Sequence, residues 1–491
     1  MKPLEERAAI RRLFDRFGLG ARHADVDDGV ERGFDASLQQ LLSPDPADPG
    51  AAATPAPELG PLDPVGLNDP RRKDVDAQRA DQQRTMKIWW LDRMAAVSAP
   101  APERSTWFWH GHFATSEDKV NRPHLMLAQN QTLRRLALGD FRSLTRAMIA
   151  DPAMIIWLDG QTNRLQEPNE NLGRELLELF TLGVGHYSET DVRESARALT
   201  GWTVDVDKGT ATLRPAKHDA TVKTVLGRAA PYDGTGLVDA VVATPESARF
   251  VATRLWTRLV SPTPPDPAEL DRLTVAYGSR TDLTALLRAL ATSTAFHDPA
   301  SSLVKSPVEW ATGLARAIGA RPAALDDANR KSLISGLQAL GQAPFRPPNV
   351  GGWPAGTAWL TPTATVHRVD VARRLLRQSP PTDVPRGGNA RLEWARATLG
   401  RRGSPTRNTA ATGAAALLAG ATQAQRGDGV ELSEQLYSEF GRRVRGDLRA
   451  SVDFRDIYAS LAERVLDVDG ERVVSSHPGR LDTLIGAPLG T

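Results

Sequence analysis

The stretch from Pro168 to Trp202, PNENLGRELLELFTLGVGHYSETDVRESARALTGW, joins two helical patterns through a glycine turn. Apolar residues recur in it at the spacing of one helix face: Leu172, Leu176, Leu179 and Phe180, then Val192, Ala196 and Leu199. Gly183 and Gly185 follow the first pattern, where a helix end favours residues that adopt positive φ. Ser188 or Thr190 can then cap the second helix. We therefore predict two helices linked by a tight turn.

The carboxylates of this stretch are candidate chemical groups. On a helical wheel Glu175 lies at the edge of the first apolar stripe, and Glu178 lies about 60° further round. A partly buried carboxylate needs a partner. Glu175 is therefore either a metal ligand or general base, or one half of a salt bridge to Arg193 or Arg197. The sequence leaves both interpretations open.

Helical periodicity runs through most of the 491 residues, so we predict a mainly α fold with a large multi-helix domain over residues 1–378. One exception is TVDVDKGTATLRP, which alternates every second residue around Lys208-Gly209 and predicts a small β-hairpin near residues 202–214. Long Pro/Gly loops interrupt the helices, among them a flexible loop at residues 44–70. Residues 379–428 have little apolar content, which is typical of a linker.

The composition excludes several classes of site. The chain has no cysteine, which excludes disulfides, thiolate metal sites and a cysteine nucleophile. Its formal net charge is +2 and no block of Lys and Arg stands out, so nucleic acid is not an expected partner. No run approaches the roughly 18–20 apolar residues of a membrane span, and the N-terminus lacks the apolar segment of an export signal. We therefore expect no membrane span and a cytoplasmic location.

The stretch from Glu103 to Lys119, ERSTWFWHGHFATSEDK, is the most aromatic part of the chain. If it is helical, His110 and His112 lie about 200° apart and cannot both face one ion; if it is extended, they share a face and could chelate one. Trp107, His110 and Phe113 keep helical spacing, which favours the helix. One histidine then faces the polar side chains of the stretch from Pro168 to Trp202 as a ligand or proton shuttle, and the other is packed or solvated.

A loop rich in proline and glycine, FRPPNVGGWPAGTAW, covers Phe345 to Trp359. Loops of this kind, with a rigid backbone and polar side chains, often line a pocket. Asn349 is a polar residue of this loop that could do so. The other interpretation is a structural lid over the helices. The sequence does not separate the two.

Polar residues from these stretches form one group of candidates. The candidate catalytic residues are Glu175, Glu178 and His110, and the candidate pocket residues are Trp109, His112, Asn169, Glu170, Asn171, His186, His218, Asp219, Asn349 and Trp353. No P-loop, dinucleotide fingerprint, HExxH or GxSxG motif occurs. The Glu-x-x-His pairs of a diiron site are also missing. The cofactor is therefore undetermined, with a single divalent Zn²⁺, Mn²⁺ or Fe²⁺ as one candidate.

Several long strings, taken in order, resemble the bacterial "domain of unknown function 1800" family (DUF1800). They are RRLFDRFGLG, FWHGHFATS, DPAMIIWLDG, the stretch from 168 to 202, HDATVKTVLG, VKSPVEW and GQAPFRPPNVGGWP, and they span residues 8–378. The resemblance implies a mostly helical protein without an established activity. Members are commonly exported, and they are typically encoded beside a second family, "domain of unknown function 1501" (DUF1501), which is similar to alkaline phosphatases and sulfatases.

The tail of the chain resembles that second family. LYSEFGRRVRG, Leu436 to Gly446, and SVDFRDIYASLAERVLDVD, Ser451 to Asp469, look like two of its C-terminal pieces. In the family an Asp-His-Gly metal motif lies between these pieces, and it is missing here. We interpret residues 429–491 as a truncated remnant without phosphatase or sulfatase chemistry.

Two functions remain as hypotheses, and whether the protein is an enzyme stays open. The first is a non-catalytic scaffold or partner of a phosphatase/sulfatase-like protein of the DUF1501 type, because gene fusion often joins partners that already bind. The alternative is an enzyme whose His/carboxylate pocket, with or without a single metal, is formed by residues 107–113, 168–202 and 345–359. Glu175 or Glu178 would then be the base or ligand.

Overall fold

The architecture is mainly α, as predicted, and a computed structural model describes it for residues 4–43, 45–361, 364, 367, 368, 370–372, 374 and 375. The helices are α1 (Glu6–Arg16), α2 (His23–Arg32), α3 (Phe34–Leu42), α4 (Pro49–Ala52), α5 (Arg72–Ala96), α6 (Ala101–His112), α7 (Glu117–Val120), α8 (Pro123–Leu136), α9 (Phe141–Ile149), α10 (Pro152–Trp157), α11 (Asn171–Glu175), α12 (Glu189–Ala198), α13 (Gly234–Val242), α14 (Pro245–Leu259), α15 (Pro267–Tyr277), α16 (Leu283–Ala291), α17 (Thr294–His297), α18 (Pro307–Ile318) and α19 (Asp327–Ala339). The predicted linker and tail, residues 379–491, lie outside the described residues.

Several helices begin at a capping residue that is followed by proline. Asp151 accepts the backbone N–H of Met154 at 2.9 Å at the start of α10, and Asp266 accepts that of Glu269 at 2.9 Å at the start of α15. These side chains satisfy N–H groups that have no partner within the helix. Proline suits the first helical position because its missing N–H would be unpaired there.

Two small antiparallel hairpins follow α12. The predicted hairpin is present as β1 (Trp202–Asp205) and β2 (Thr210–Leu213), with Trp202 opposite Leu213. A second hairpin, β3 (Lys223–Val225) and β4 (Arg228–Ala230), was not predicted. Leu226 and Gly227 connect it with φ of +49° and +75°, the left-handed pair that a two-residue hairpin turn requires.

The hydrophobic core consists of two clusters, and α6 contributes to both. Trp109 and Phe113 belong to the first cluster, together with side chains of α1, α3, α9 and α12–α16. Trp107, on the same helix, belongs to the second cluster, with side chains of α5, α18, α19 and the loop 345–359. The helix therefore lies between the two clusters, and its remaining faces are available to border a cavity.

The Pro-rich segment before α5 contacts that helix. Asp48 caps α4 and also accepts the N–H groups of Ser98 and Ala99, at 3.1 and 2.6 Å. The Trp89 indole donates to the carbonyl of Thr54 at 3.1 Å. These bonds tie residues 48–54 to α5 and to the turn that joins α5 and α6.

None of the helices in the described part of the chain combines the length and the apolar character that a membrane span needs.

Candidate functional site

The stretch from Pro168 to Trp202 contains the two predicted helices, but the first of them changes from α-helical to π-helical geometry before it ends. α11 continues into a π-helical turn, Leu176–Thr181. There the N–H of Leu182 donates at 2.9 Å to the carbonyl of Leu177, five residues back. Such turns are rare and are often found at functional sites. Ser188 caps α12, because its hydroxyl accepts the Asp191 N–H at 3.2 Å.

The candidate catalytic carboxylates lie together at this turn. Glu175 and Glu178 are both partly buried, and burial, followed by the charge of Glu178, raises the pKa of Glu175 above its ordinary value. The hydroxyl of Tyr187 donates to Glu178. Among the residues described, neither arginine considered above pairs with Glu175; Arg197 pairs with Asp219 instead, at 2.8 Å.

His110 is buried on α6 and attaches the loop 345–359 to that helix. Its Nε2 accepts the N–H of Phe345 at 3.0 Å, so the proton of the neutral ring is on Nδ1. The rings of Trp90, Trp107 and Trp353 surround it. Burial lowers its pKa to about 3, and the ring therefore stays neutral at physiological pH. The geometry gives His110 a role in positioning the loop.

His112 is equally buried and contacts the π-helical turn. Its Nε2 donates to the carbonyl of Phe180 at 2.9 Å, which places the proton of the neutral ring on that nitrogen. Burial, and then the nearby Arg254 charge, lowers the pKa of His112 well below its ordinary value. Its Nδ1 has no hydrogen-bond partner among the described residues. His112 thus connects the π-helical turn to a cavity that lies against α6.

Other candidate residues have local structural partners. The Trp109 indole donates to the carbonyl of Ala137 at 3.0 Å within the first core cluster. Asn169 Oδ1 accepts the N–H of Asn171 at 2.9 Å, which turns the chain into α11. Glu170 pairs with Arg174 at 3.0 Å.

The remaining candidates lie at three further places. His218 Nδ1 donates to the carbonyl of Thr200 at 3.0 Å, next to the Asp219 ion pair with Arg197. His186 is exposed beside the glycine turn. Asn349 is also exposed, and its Oδ1 accepts the N–H of Gly351 at 2.9 Å.

A cavity of about 430 Å³ lies against α6, between α14, the start of α18 and the loop that begins at Phe345. Its lining residues are Arg104, Trp107, Phe108, Gly111, His112, Arg254, Thr257, Arg258, Pro262, Ser302, Leu303, Val304, Ser306, Glu309, Gln342, Trp353, Ala355, Gly356, Thr357, Trp359 and Leu360. This volume is typical of a small-molecule site. Of the predicted catalytic and pocket residues, only His112 and Trp353 line it.

The aromatic wall of the cavity joins α6 to the loop. Trp107 and Trp353 are stacked, with ring centroids 4.9 Å apart and planes inclined by 21°. The contact requires a glycine at 352, because a Cβ there would collide with the carbonyl oxygen of Gly111. Gly352 also takes φ of +80°, a conformation that other residues adopt at a cost. Two predicted segments, 107–113 and 345–359, therefore meet here.

Arginines dominate the polar side of the cavity. Arg104 pairs with Glu309 at 2.9 Å, and Arg258 donates to the carbonyls of Trp353 and Pro354 at 3.0 and 3.1 Å. Although burial raises the pKa of Glu309, the Arg104 charge and the hydrogen bonds at the start of α18 outweigh it, so the carboxylate stays ionised. The lining holds three guanidinium groups and one carboxylate, an excess of two positive charges.

Arg254 differs from the other two arginines. Its guanidinium lies over the ring of Phe250, 5.7 Å from the centroid. Burial, and then the Arg258 charge one turn later, lowers the pKa of Arg254 to about 10, which leaves it charged at neutral pH. No carboxylate of the described residues forms an ion pair with it.

The sequence reasoning missed these arginines. Arg254 and Arg258 are four residues apart on α14, and like charges at that spacing repel. Arg249, on the same helix, has an acidic partner in Asp271, whereas Arg254 has none in the described part of the chain. The pair of like charges next to Trp256 was the sequence signal available for a binding site. The sequence does not show which helix packs opposite this pair, so the signal alone could not place the site.

Metal binding receives no geometric support among the described residues, where no group of three or more His, Asp or Glu side chains lies close enough to hold an ion.

Together these features define a mainly helical protein whose described part contains a large cavity lined by arginines. The chain belongs to the family described as "Protein of unknown function (DUF1800)", which matches residues 12–456. The match therefore runs past residue 378, across the predicted linker and into the tail. No curated protein and no solved structure matches the chain.

Proposed function

We propose that this protein binds a small organic anion in the cavity between α6, α14 and the loop 345–359. The observation that carries the proposal is the Arg254 charge, which lines the cavity without a carboxylate partner among the described residues. A partly buried charge is unfavourable until an opposite charge compensates it. A bound anion supplies that charge.

The other arginines of the cavity also support the binding of an anion. Arg104 and Arg258 keep the surroundings of Arg254 positive, and Glu309 neutralises only part of their charge. Clefts with one sign of charge and low-dielectric walls concentrate ligands of the opposite sign. Buried polar atoms of His112, Trp353 and Trp359 also have no partner among the described residues, which is common where a ligand or water completes a site.

The test is isothermal titration calorimetry of the full-length protein with acetate, benzoate and inorganic phosphate. We expect at least one anion to bind, and Arg254→Gln to weaken it by about 10-fold or more, as for a lost charge-assisted hydrogen bond. Arg249→Gln is the matched control, because Arg249 lies on the same helix and pairs with Asp271 outside the cavity. Equal binding by wild type and Arg254→Gln would contradict the proposal.

We also propose, as a second function, docking to a phosphatase/sulfatase-like protein. The support is the resemblance of residues 436–446 and 451–469 to pieces of that family, and both segments lie outside the described residues. The test is a pull-down of a full-length DUF1501-type protein by this chain and by a variant that ends at residue 428. Capture by the full chain alone supports docking through the tail; equal capture, or none, argues against it.

A further inference from the structure

The cavity also restricts the chemical class of its ligand, and this step rests on the proposed function. Two of its three guanidinium groups already have partners in the protein. Arg104 is held by Glu309 and by the carbonyl of Arg16, at 2.9 and 3.0 Å. Arg258 is held by the two loop carbonyls of Trp353 and Pro354. Of the three, only Arg254 has a guanidinium group whose N–H donors form no hydrogen bond with a described residue.

A single free guanidinium group is suited to bind one carboxylate. Guanidinium and carboxylate groups can form two parallel hydrogen bonds, and this geometry is specific as well as strong. A phosphate group carries more charge and more acceptor oxygens, and it usually collects several donors. Here the partners of Arg104 and Arg258 would have to be released first. The donor arrangement therefore favours a carboxylate.

The aromatic residues of the lining match a ring. Trp107 and Trp353 are stacked on each other, and Phe108 and Trp359 also contribute to the lining. Aromatic side chains bind planar rings by stacking and edge contacts, beyond the effect of the buried area. A cavity of about 430 Å³ is much larger than a carboxylate alone requires. The cavity therefore has room for a ring as well as a carboxylate.

We infer that the ligand is an aromatic carboxylate whose carboxylate binds Arg254 and whose ring packs against the tryptophans of α6 and the loop. Arg254 is then the residue that selects the acid, and Trp353 the residue that selects the ring.

The experiment compares four probes by isothermal titration calorimetry on the full-length protein. 2-Naphthoate carries both features, cyclohexanecarboxylate lacks the aromatic ring, 2-naphthylmethanol lacks the charge, and 2-naphthyl phosphate replaces the carboxylate. We expect 2-naphthoate to bind about 10-fold more tightly than each of the other three.

Variants test which residues bind the carboxylate and which bind the ring. Arg254→Gln should weaken 2-naphthoate by about 10–100-fold, Arg254→Lys by less, and Arg249→Gln not at all. Trp353→Leu should reduce the preference for 2-naphthoate over cyclohexanecarboxylate. Circular dichroism establishes whether each variant is folded. If Trp353→Leu does not fold, the Arg254 variants still test the contact with the carboxylate.

The outcomes separate this inference from the proposed function. If 2-naphthyl phosphate or cyclohexanecarboxylate binds as tightly as 2-naphthoate and still depends on Arg254, the aromatic carboxylate is wrong and anion binding stands. If no probe binds, or if Arg254→Gln changes nothing, both proposals fail.

Discussion

His110 Nε2 accepts the backbone N–H of Phe345 across 3.0 Å, and it does so for a residue held at φ of +65°. A non-glycine residue in that conformation is strained and persists only when its surroundings fix it. The same residue's carbonyl accepts the N–H of Glu117 at 2.9 Å. These two bonds hold the start of the loop that borders the cavity.

The first prediction concerns this bond. His110→Phe keeps an aromatic ring but removes the acceptor, which leaves a buried N–H unpaired. We expect the free energy of unfolding to fall by about 1–3 kcal/mol in urea denaturation. His186→Phe, at an exposed histidine, should change it by less than about 0.5 kcal/mol. Equal stabilities of wild type and His110→Phe would show that the bond does not hold the loop.

A second prediction concerns pH and Asp151. Burial raises the pKa of this carboxyl from an ordinary 3.8 to about 7, although Met154 N–H and Gln129 donate to it. The folded state therefore holds the proton at pH values where the unfolded state has lost it. Stability linked to Asp151 is complete below about pH 4 and is lost as the pH rises towards 7.

Asp151→Asn removes this titration and keeps a good helix cap. We expect the variant to be more stable than wild type by about 2–4 kcal/mol at pH 8, with a smaller difference at pH 5. Urea denaturation at both pH values measures it. Asp266→Asn is the matched control at an exposed cap, and it should have the same small effect at both. An Asp151→Asn effect that does not change with pH would contradict the argument.

Several helices were predictable because they carry local signals of their own. Caps such as Asp151-Pro152 and apolar periodicity are local, and so is the alternation that predicts the β1–β2 hairpin. The second hairpin is too short for alternation to show. The π-helical turn at Leu176–Thr181 has the spacing of an ordinary helix, and its extra residue is visible only in the backbone bonds.

The cavity was only partly predictable. The sequence pointed to residues 107–113 and 345–359, and these segments do meet through Trp107 and Trp353. It emphasised histidines and carboxylates, because those groups carry most catalytic chemistry. Arg254 reaches the cavity from a helix some 150 residues away along the chain from α6, and no local pattern encodes that contact.

A third prediction concerns a buried ion cluster. Glu103 is fully buried and accepts hydrogen bonds from Arg93 at 2.7 Å, from Arg134 at 2.6 and 2.8 Å, and from the Trp90 indole at 2.9 Å. Glu103→Gln leaves two guanidinium groups without their counter-charge. We expect a loss of about 3–5 kcal/mol in the free energy of unfolding. Calorimetric or urea unfolding measures it.

The control for this cluster is an exposed ion pair. Asp327 pairs with Lys331 at 2.8 Å on the surface of α19. Asp327→Asn should reduce the free energy of unfolding far less than Glu103→Gln does, because exposed pairs are screened by solvent. Similar losses in the two variants would mean that burial does not decide the strength of the Glu103 cluster.

The last prediction tests how the loop closes the cavity. A Cβ at Gly352 would collide with the carbonyl oxygen of Gly111, and its φ of +80° adds strain. Gly356 has a similar φ of +62°, but a Cβ there has nothing within 4 Å. Gly352→Ala should therefore destabilise the protein by about 1–3 kcal/mol more than Gly356→Ala, because only the first also separates the loop from α6. Unfolding in urea gives this difference, and tryptophan fluorescence of the folded variants reports the Trp107–Trp353 stack. Equal effects of the two substitutions would mean that backbone strain alone acts at Gly352 and that close contact with α6 is not required.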